Sequence, residues 1–239
     1  MAININSVYK TVLVVLEQEK RGAILPTEFN KIANQAQKEI FTEYLDDYNQ
    51  LLRMPQTDLA YADRMALLQE KISLFQTTSP LSQTGGTGSS SAPQPSNLYK
   101  IDELSYTDGS TQAISRIERI NKYDLYTINQ GSLTSPTSTY PVYIYENKSF
   151  TFYPNLTTGV VKIDYMKEPT EVKWGFNVDP DLGSYVYNSN ISTNFEIHES
   201  DEALLVSKIL TYAGVTSNDP EAASLGAQKE QQVTANSQK

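Results

Sequence analysis

The apolar residues of this 239-residue chain change their spacing at one uncharged stretch, and that change constrains the fold most strongly. Before residue 76 they recur every three or four positions, which is typical of helices that bury one face. After residue 96 they alternate in short runs rich in β-branched and aromatic residues, which is typical of strands. The stretch 76–96 between these regions is rich in Gly, Ser and Pro. It predicts a linker or an extended arm.

The region before the stretch predicts three helices. Asn6 or Ser7 is the expected N-cap of the first helix, and Gly22 its stop. Pro26 is expected to open the second helix, which closes before Pro55. The expected buried stripes of the three helices are Val8, Val12 and Val15/Leu16; Phe29, Ile32/Ala33, Ala36, Ile40, Tyr44, Tyr48 and Leu51; and Tyr61, Met65, Leu68, Ile72 and Phe75.

The region after the stretch predicts strands at 98–106, 113–120, 142–145, 149–153, 160–166 and 185–187. The sequence Glu146-Asn147-Lys148 indicates a tight hairpin between two of them. A short helix is expected between Asn121 and Gly131, and a last helix from about Glu199 to Tyr212.

These patterns together predict an α+β fold with a mostly antiparallel β region. The predicted domains are a helical bundle at 1–75, the arm at 76–96, a β-rich domain at 97–198, and a C-terminal helix with a polar tail at 199–239. Splitting the net charge of -9 places the acidity in the C-terminal third of the chain.

Composition excludes several kinds of site. The chain has no cysteine and a single histidine, His198, so thiol catalysis, disulfide scaffolds and multi-histidine metal sites are excluded. No apolar run approaches the roughly 20 residues that cross a bilayer, and we expect no membrane association. The negative net charge argues against a protein that wraps nucleic acid, because phosphates require clustered Lys and Arg. We also expect no cofactor, no metal and no enzymatic activity.

Two acidic clusters contain residue types that could serve in catalysis or metal binding, but a structural role explains each cluster better. The run from His198 to Glu202 directly precedes an apolar helical stretch, so it predicts a capping turn. The sequence Asp179-Pro180-Asp181 lacks the further oxygen ligands of a calcium loop and predicts an acidic turn. Tyrosine is abundant, with 16 residues, which is typical of surfaces that bury against another protein.

Two sets of segments resemble structural proteins of tailed bacteriophage virions, notably of crAss-like short-tailed phages. The first set is residues 6–9 (NSVY), 20–22 (KRG), 26–30 (PTEFN) and 33–41 (ANQAQKEIF). The second set is residues 165–169 (YMKEP), 173–175 (KWG), 194–198 (NFEIH) and 204–214 (LLVSKILTYAG). The two sets bracket nearly the whole chain.

The resemblance implies a ring or adaptor protein of the head-to-tail connector. Such a chain would form a homo-oligomeric ring of about twelve copies, bind the portal protein and adjacent neck or tail rings, and let genomic DNA pass without specific binding. Assembly would take place in the host bacterial cytoplasm, and the protein would reside in the virion neck or tail. The expected partner contacts are Pro93, Pro95, Trp174, Tyr185 and Tyr187, and the expected lumen-facing acids are Glu196, Glu199, Asp201 and Glu202.

Three alternatives remain open at this point. A tail-fibre adaptor or a minor capsid protein of the same virion would share every compositional feature. A secreted carbohydrate-binding module would explain the abundant tyrosine, although no export signal is visible. A carboxylate-dependent hydrolase would use Asp179 and Asp181.

Overall fold

The computed structural model describes residues 3–18, 24–53, 59–131 and 133–216, together with Gln228 and Gln231. The chain has an α+β fold and forms two compact units. The helical unit comprises residues 1–74 and 169–239, and the β unit comprises residues 75–168. No helix among the described residues is long and apolar enough to cross a membrane.

The elements, in chain order, are α1 (Ile5–Gln18), α2 (Pro26–Arg53), α3 (Leu59–Ser73), β1 (Gln76–Leu81), β2 (Thr84–Gly85), β3 (Ser90–Pro93), β4 (Leu98–Thr107), β5 (Ile114–Arg116), β6 (Glu118–Arg119), α4 (Lys122–Gln130), β7 (Val142–Glu146), β8 (Ser149–Tyr153), β9 (Val160–Lys167), β10 (Phe176–Val178), β11 (Tyr185–Tyr187) and α5 (Glu202–Thr216). Short 3-10 turns lie at Ser189–Ile191 and Glu199–Asp201.

The first helix begins slightly earlier than predicted. The Asn4 side chain accepts hydrogen bonds from the backbone N–H groups of Asn6, at 2.8 Å, and Ser7, at 3.3 Å. Asn4 is therefore the cap, and the predicted caps lie inside the first turn. The physical reason is the burial of Ile5. Its side chain is fully buried, and the helix begins early enough to include this residue. The predicted stops Gly22 and Pro55 lie outside the described residues.

The predicted apolar stripe of α2 is confirmed. Its buried members are Phe29, Ala33, Ala36, Ile40, Tyr44 and Leu51. The stripe of α3 is covered less completely, because Tyr61, Met65 and Leu68 are only half-buried while Ile72 is buried. Phe75, predicted as the last position of that stripe, belongs instead to the β unit, where its carbonyl accepts a hydrogen bond from the Lys167 N–H.

The segment 169–198 belongs to the helical unit, whereas the sequence predicted it as part of the β-rich domain. Phe195 forms an isolated antiparallel bridge with Ile3, and Phe195 and Ile197 are both fully buried. Only the short two-stranded sheet β10–β11 forms in this segment. Its apolar side chains therefore complete the core of the helical unit.

The β unit contains two sheets that share one apolar core. Their strand orders are β1-β9-β4-β5 and β2-β3-β8-β7-β6, and all pairs are antiparallel except β6 with β7. Both sheets contribute buried residues to the core, which comprises Leu81, Ala92, Leu104, Tyr106, Ile117, Tyr143, Phe150, Phe152, Leu156, Val161, Ile163 and Tyr165. The hairpin of β7 and β8 turns at Asn147 and Lys148, both with positive φ, as the sequence predicted.

The stretch 76–96 is not a free linker. Strand β1 pairs with β9 along its whole length, and β3 pairs with β8. Leu81, Ser90 and Ala92 are buried. The glycines and prolines of this stretch have weak strand propensity, so its strands form because neighbouring sheet edges supply backbone partners.

Candidate functional site

Two asparagines on one face of α2 hold an extended segment by its backbone. The Asn34 side chain donates to the Val172 carbonyl at 2.9 Å and accepts from the Val172 N–H at 2.8 Å. Asn30 makes the same pair of bonds with Trp174, at 3.3 and 2.7 Å. Each amide therefore pairs with both the N–H and the C=O of one buried residue, as a residue of a neighbouring strand would.

Gln37 continues the same row of amides. Its side chain donates to the Thr170 carbonyl at 2.8 Å and accepts from the Glu196 N–H at 3.0 Å. We call Asn30, Asn34 and Gln37 the amide ladder. Their spacing of four and three residues keeps them on one helix face, and alternate residues of an extended chain face that helix. The ladder joins the two parts of the chain that form the helical unit.

Trp174, predicted to contact a partner, lies inside the helical unit with 4% of its surface exposed. Its ring packs against Tyr9 at 4.4 Å, Phe176 at 6.0 Å and Tyr187 at 5.6 Å between centroids. Its indole N–H donates to Asn6 Oδ1 at 3.2 Å. The chain's own aromatic residues already cover Trp174, so its contacts are internal.

Tyr185 and Tyr187 lie on the hairpin formed by β10 and β11. Tyr187 is half-buried against Trp174, whereas Tyr185 is exposed and packs its edge on Phe176 at 4.9 Å. Residues 180–186 are all exposed. Of the two predicted contact tyrosines, Tyr185 therefore has the larger surface free for a partner.

The predicted arm contacts Pro93 and Pro95 lie in the β unit. Pro93 ends β3 and is exposed, opposite Ser149 of β8. Pro95 is half-buried, and its carbonyl accepts from the Leu98 N–H at 3.2 Å. Both prolines thus shape a sheet margin and the turn after it.

The four predicted lumen acids differ in their surroundings. Glu196 accepts from the Thr170 N–H at 3.0 Å and from its hydroxyl at 3.1 Å, which fixes the start of the segment held by the amide ladder. Glu199 and Glu202 are exposed, in the turn before α5 and at its first residue. Asp201 is buried. An acidic surface at this place is therefore formed by Glu199 and Glu202, and Asp201 does not contribute to it.

Asp201 is the centre of a buried polar cluster between α2, α3 and α5. Its carboxylate pairs with Lys71 Nζ at 2.7 Å and accepts a hydrogen bond from the Tyr44 hydroxyl. Burial, followed by the bond to Asp201, raises the pKa of Tyr44. The phenol therefore stays protonated and serves as a donor. The cluster ties α3 to the start of α5.

A second buried charge, Lys208, lies on α5 with 2% of its side chain exposed. Its ammonium group pairs with Glu43 Oε1 at 2.8 Å and with Glu39 Oε1 at 3.3 Å. The Tyr212 hydroxyl donates to Glu39 at 2.7 Å, and that bond raises the Tyr212 pKa. The buried ammonium group thus has two carboxylate partners, and these offset the free-energy cost of removing it from water.

The residues considered for chemistry have structural roles in this geometry. His198 Nδ1 accepts from the Ser200 N–H at 3.3 Å and caps the turn before α5, which confirms the predicted capping turn. Asp179 Oδ1 accepts from the Asp181 N–H at 2.9 Å within a tight turn. Among the described residues, no three His, Asp or Glu side chains gather closely enough to hold a metal ion.

One exposed surface was missed by the sequence analysis. Tyr123 and Tyr126 are 87% and 66% exposed on α4, and Leu133 in the following loop is 99% exposed. The helix buries only Leu125, which packs with Val142 and Ile144. The signal was present, because the two tyrosines are three residues apart and therefore share a face that excludes Leu125.

Comparisons with known proteins identify no family for this chain, so a proposal about its function depends on its own residues. No protein-family model matches the chain, and a search of curated proteins found no match.

Proposed function

We propose that this chain is a structural protein of a tailed-phage virion that forms a homo-oligomeric ring in the head-to-tail connector. In this role it binds the portal or an adjacent neck ring and extends the channel through which DNA passes. The role needs specific protein surfaces and no catalytic centre.

The observation that carries the proposal is the amide ladder. The first phage-like set covers most of the first half of α2, at residues 26–30 and 33–41, and most of the second set lies after Pro169. The ladder residues Asn30, Asn34 and Gln37 belong to the first set, and Trp174 to the second. Two contacts of the ladder, Asn30 with Trp174 and Gln37 with Glu196, therefore join segments of the first set to segments of the second, which is expected if the two sets were inherited as one unit.

The distribution of charge also supports the proposal. The β unit has 7 basic and 8 acidic residues, a net charge of -1, so the remaining 12 basic and 20 acidic residues give the helical unit -8. A negative surface repels the phosphates of DNA and lowers nonspecific binding. We expect the helical unit to supply the acidic surface of the channel, with Glu199 and Glu202 among its residues.

The test is the copy number of the chain in purified particles. Quantitative mass spectrometry of gradient-purified virions of the phage that encodes it should give about a dozen copies, or a small multiple, relative to the major capsid protein. Hundreds of copies would instead assign the chain to the shell. Its absence from particles would overturn the proposal and reopen both the carbohydrate-binding module and the carboxylate-dependent hydrolase.

A further inference from the structure

The buried pair of Lys71 and Asp201 brings a primary amine against a carboxyl carbon. Lys71 Nζ lies 2.9 Å from Asp201 Oδ1 and 2.7 Å from Oδ2, so it contacts both oxygens of one carboxyl group. An atom in this position lies no farther from the carbon between the two oxygens than the near-attack range of about 3–3.5 Å. Each of the two side chains is only 12% exposed, so little solvent reaches the pair.

Tyr44 of α2 contacts both members of the pair. Its hydroxyl donates to Asp201 Oδ2, and the backbone N–H of His198 donates to the phenol oxygen. The ring also packs against the amine, with Lys71 Nζ 5.2 Å from the ring centroid. Burial raises the pKa of Tyr44, so the phenol keeps its proton and can donate to an oxygen that gains negative charge.

Burial favours the uncharged forms of this pair. An ammonium and a carboxylate are costly to remove from water, and transfer of one proton from Lys71 Nζ to Asp201 Oδ1 makes both groups neutral. The neutral amine of a desolvated lysine is a nucleophile. Fixed positions also raise the effective concentration of the two groups to about 10⁵–10⁸ M, far above that of the water that would hydrolyse an amide between them. Geometry and burial therefore favour condensation of the two side chains.

We propose that Lys71 and Asp201 condense to an isopeptide bond that links α3 to the turn before α5. Nζ attacks the Asp201 carboxyl carbon, and Tyr44 donates to Oδ2 as negative charge develops on that oxygen. A proton of the nitrogen then passes to Oδ1, the Cγ–Oδ1 bond breaks, and Oδ1 leaves as water. One ammonium and one carboxylate thus give one amide and one water molecule, and no further reactant is needed. The contact distances are those of two separate groups, so they describe the pair before condensation.

The second buried lysine has a different arrangement. Lys208 Nζ divides its contacts between Glu43 Oε1 and Glu39 Oε1, at 2.8 and 3.3 Å. These two carboxylates are 43% and 37% exposed, so water solvates their charge and proton transfer to them gains little. Lys208 is therefore a control within the same chain, and we expect it to keep its free amine.

The bond closes a long covalent loop. Its two residues are 130 positions apart, and the whole β unit lies between them in sequence. A cross-link of this kind restricts the unfolded chain and stabilises the folded one. The bond therefore gives the helical unit, whose two parts are separated by the β unit in sequence, a covalent connection of its own.

Mass spectrometry of the denatured full chain tests the bond. Wild-type protein should lose the mass of one water molecule progressively during incubation at neutral pH. A tryptic digest should then contain residues 65–100 joined to residues 174–208, because trypsin does not cleave after an acylated lysine. Cleavage after Lys122, which pairs with Glu146 in an exposed position, and after Lys208 should stay complete. An unchanged mass after incubation, or complete cleavage after Lys71, would overturn the proposal.

Lys71→Arg is the matched variant, because arginine keeps the cation beside Asp201 and has no primary amine. It should keep its full mass through the same incubation. Equal water loss in this variant would assign the loss to another reaction, such as cyclisation of Asp108 with the Gly109 nitrogen, and would overturn the proposal. Tyr44→Phe should slow the water loss at least about tenfold, because a donor to the developing charge is removed, and an unchanged rate would overturn the mechanism. Circular dichroism of each variant verifies that it is folded.

Thermal unfolding gives a second readout of the bond. Incubated wild-type protein should unfold at a higher temperature than freshly purified protein, whereas Lys71→Arg should show no such rise. The same rise in both proteins would contradict the bond. These measurements need no virion, so an unlinked chain would overturn the bond and leave the proposed ring standing. Absence of the chain from virions would overturn the ring and leave the bond standing.

Discussion

The helical unit and the β unit of this protein are stabilised in different ways. In the helical unit, polar side chains connect positions far apart in sequence: Asn34 and Val172 are 138 residues apart, and Lys71 and Asp201 are 130 apart. The β unit is one continuous segment, held by backbone ladders and an apolar core. The helical unit should therefore be most sensitive to the loss of single polar groups, and the β unit to cavities.

The largest effect is expected from Phe152→Ala in the β unit. Phe152 is fully buried between the sheets, so the cavity should lower the free energy of unfolding by about 3–5 kcal/mol. Hydrogen exchange should show protection lost first in residues 75–168. The control Thr151→Ala removes a half-buried side chain on the other face of β8. Earlier loss of protection in the helical unit would contradict the proposed division.

Lys71→Met tests the buried cluster of the helical unit. It leaves the Asp201 carboxylate with Tyr44 as its main partner, and the cost should be about 3 kcal/mol in chemical denaturation. Adding Asp201→Asn removes the buried charge, keeps an acceptor for Tyr44, and should recover about half of the loss.

The matched control for that pair is Lys122→Met in the β unit. It breaks the exposed pair with Glu146, and such pairs contribute under about 1 kcal/mol. Equal losses from Lys71→Met and Lys122→Met would show that the polar cluster is not what distinguishes the helical unit.

Asn34→Ala tests the amide ladder. It leaves both polar groups of the buried Val172 backbone without their partner, which should cost about 2 kcal/mol. The helix control Asn49→Ala changes an exposed asparagine of α2 and should alter stability by under about 0.5 kcal/mol. If hydrogen exchange around residues 170–174 is unchanged in Asn34→Ala, the ladder does not hold that segment.

The smallest effect concerns Asp47 of the helical unit. Partial desolvation raises the pKa of its carboxyl above the usual value. The folded state then binds the proton more tightly, so stability should fall as pH rises from about 4 through the raised pKa. At pH 7, Asp47→Asn should stabilise the protein by about 0.3 kcal/mol. The effect is small because the group is partly exposed and solvent screens its charge.

In the β unit, Asp108 should change the pH dependence of stability in the opposite direction. Hydrogen bonds from Ser110 and Thr111 lower its pKa, so its contribution is present above about pH 4 and is lost as pH falls toward the lowered pKa. Unfolding curves from pH 2.5 to 7 for Asp47→Asn and Asp108→Asn should therefore diverge from wild type in opposite directions. Parallel curves would refute the assignment.

Local pattern was sufficient for much of the secondary structure. The α2 stripe, the hairpin at Asn147 and Lys148 and the helix between Asn121 and Gly131 were all readable from spacing and turn residues. Each depends on contacts within a few residues, which is why the sequence specifies it directly.

The candidate site was predicted less well. Trp174 and Asp201 were expected at a surface and are buried, because residues distant in sequence, Tyr9 for Trp174 and Lys71 for Asp201, help to cover them. Nothing in the residues around Asp201 identifies Lys71 as its partner. Tyr123 and Tyr126 became candidates only when the structure showed which side of α4 is covered.

The sequence by itself determined the α+β class, the positions of most helices and strands, and the exclusion of cysteine chemistry. The tertiary structure decided that 76–81 is a strand of the β unit, that 169–198 completes the helical unit, and which aromatic residues stay exposed. The physical reason is that periodicity specifies which face of an element is buried. The partner that buries it depends on how distant segments compete for the same surface.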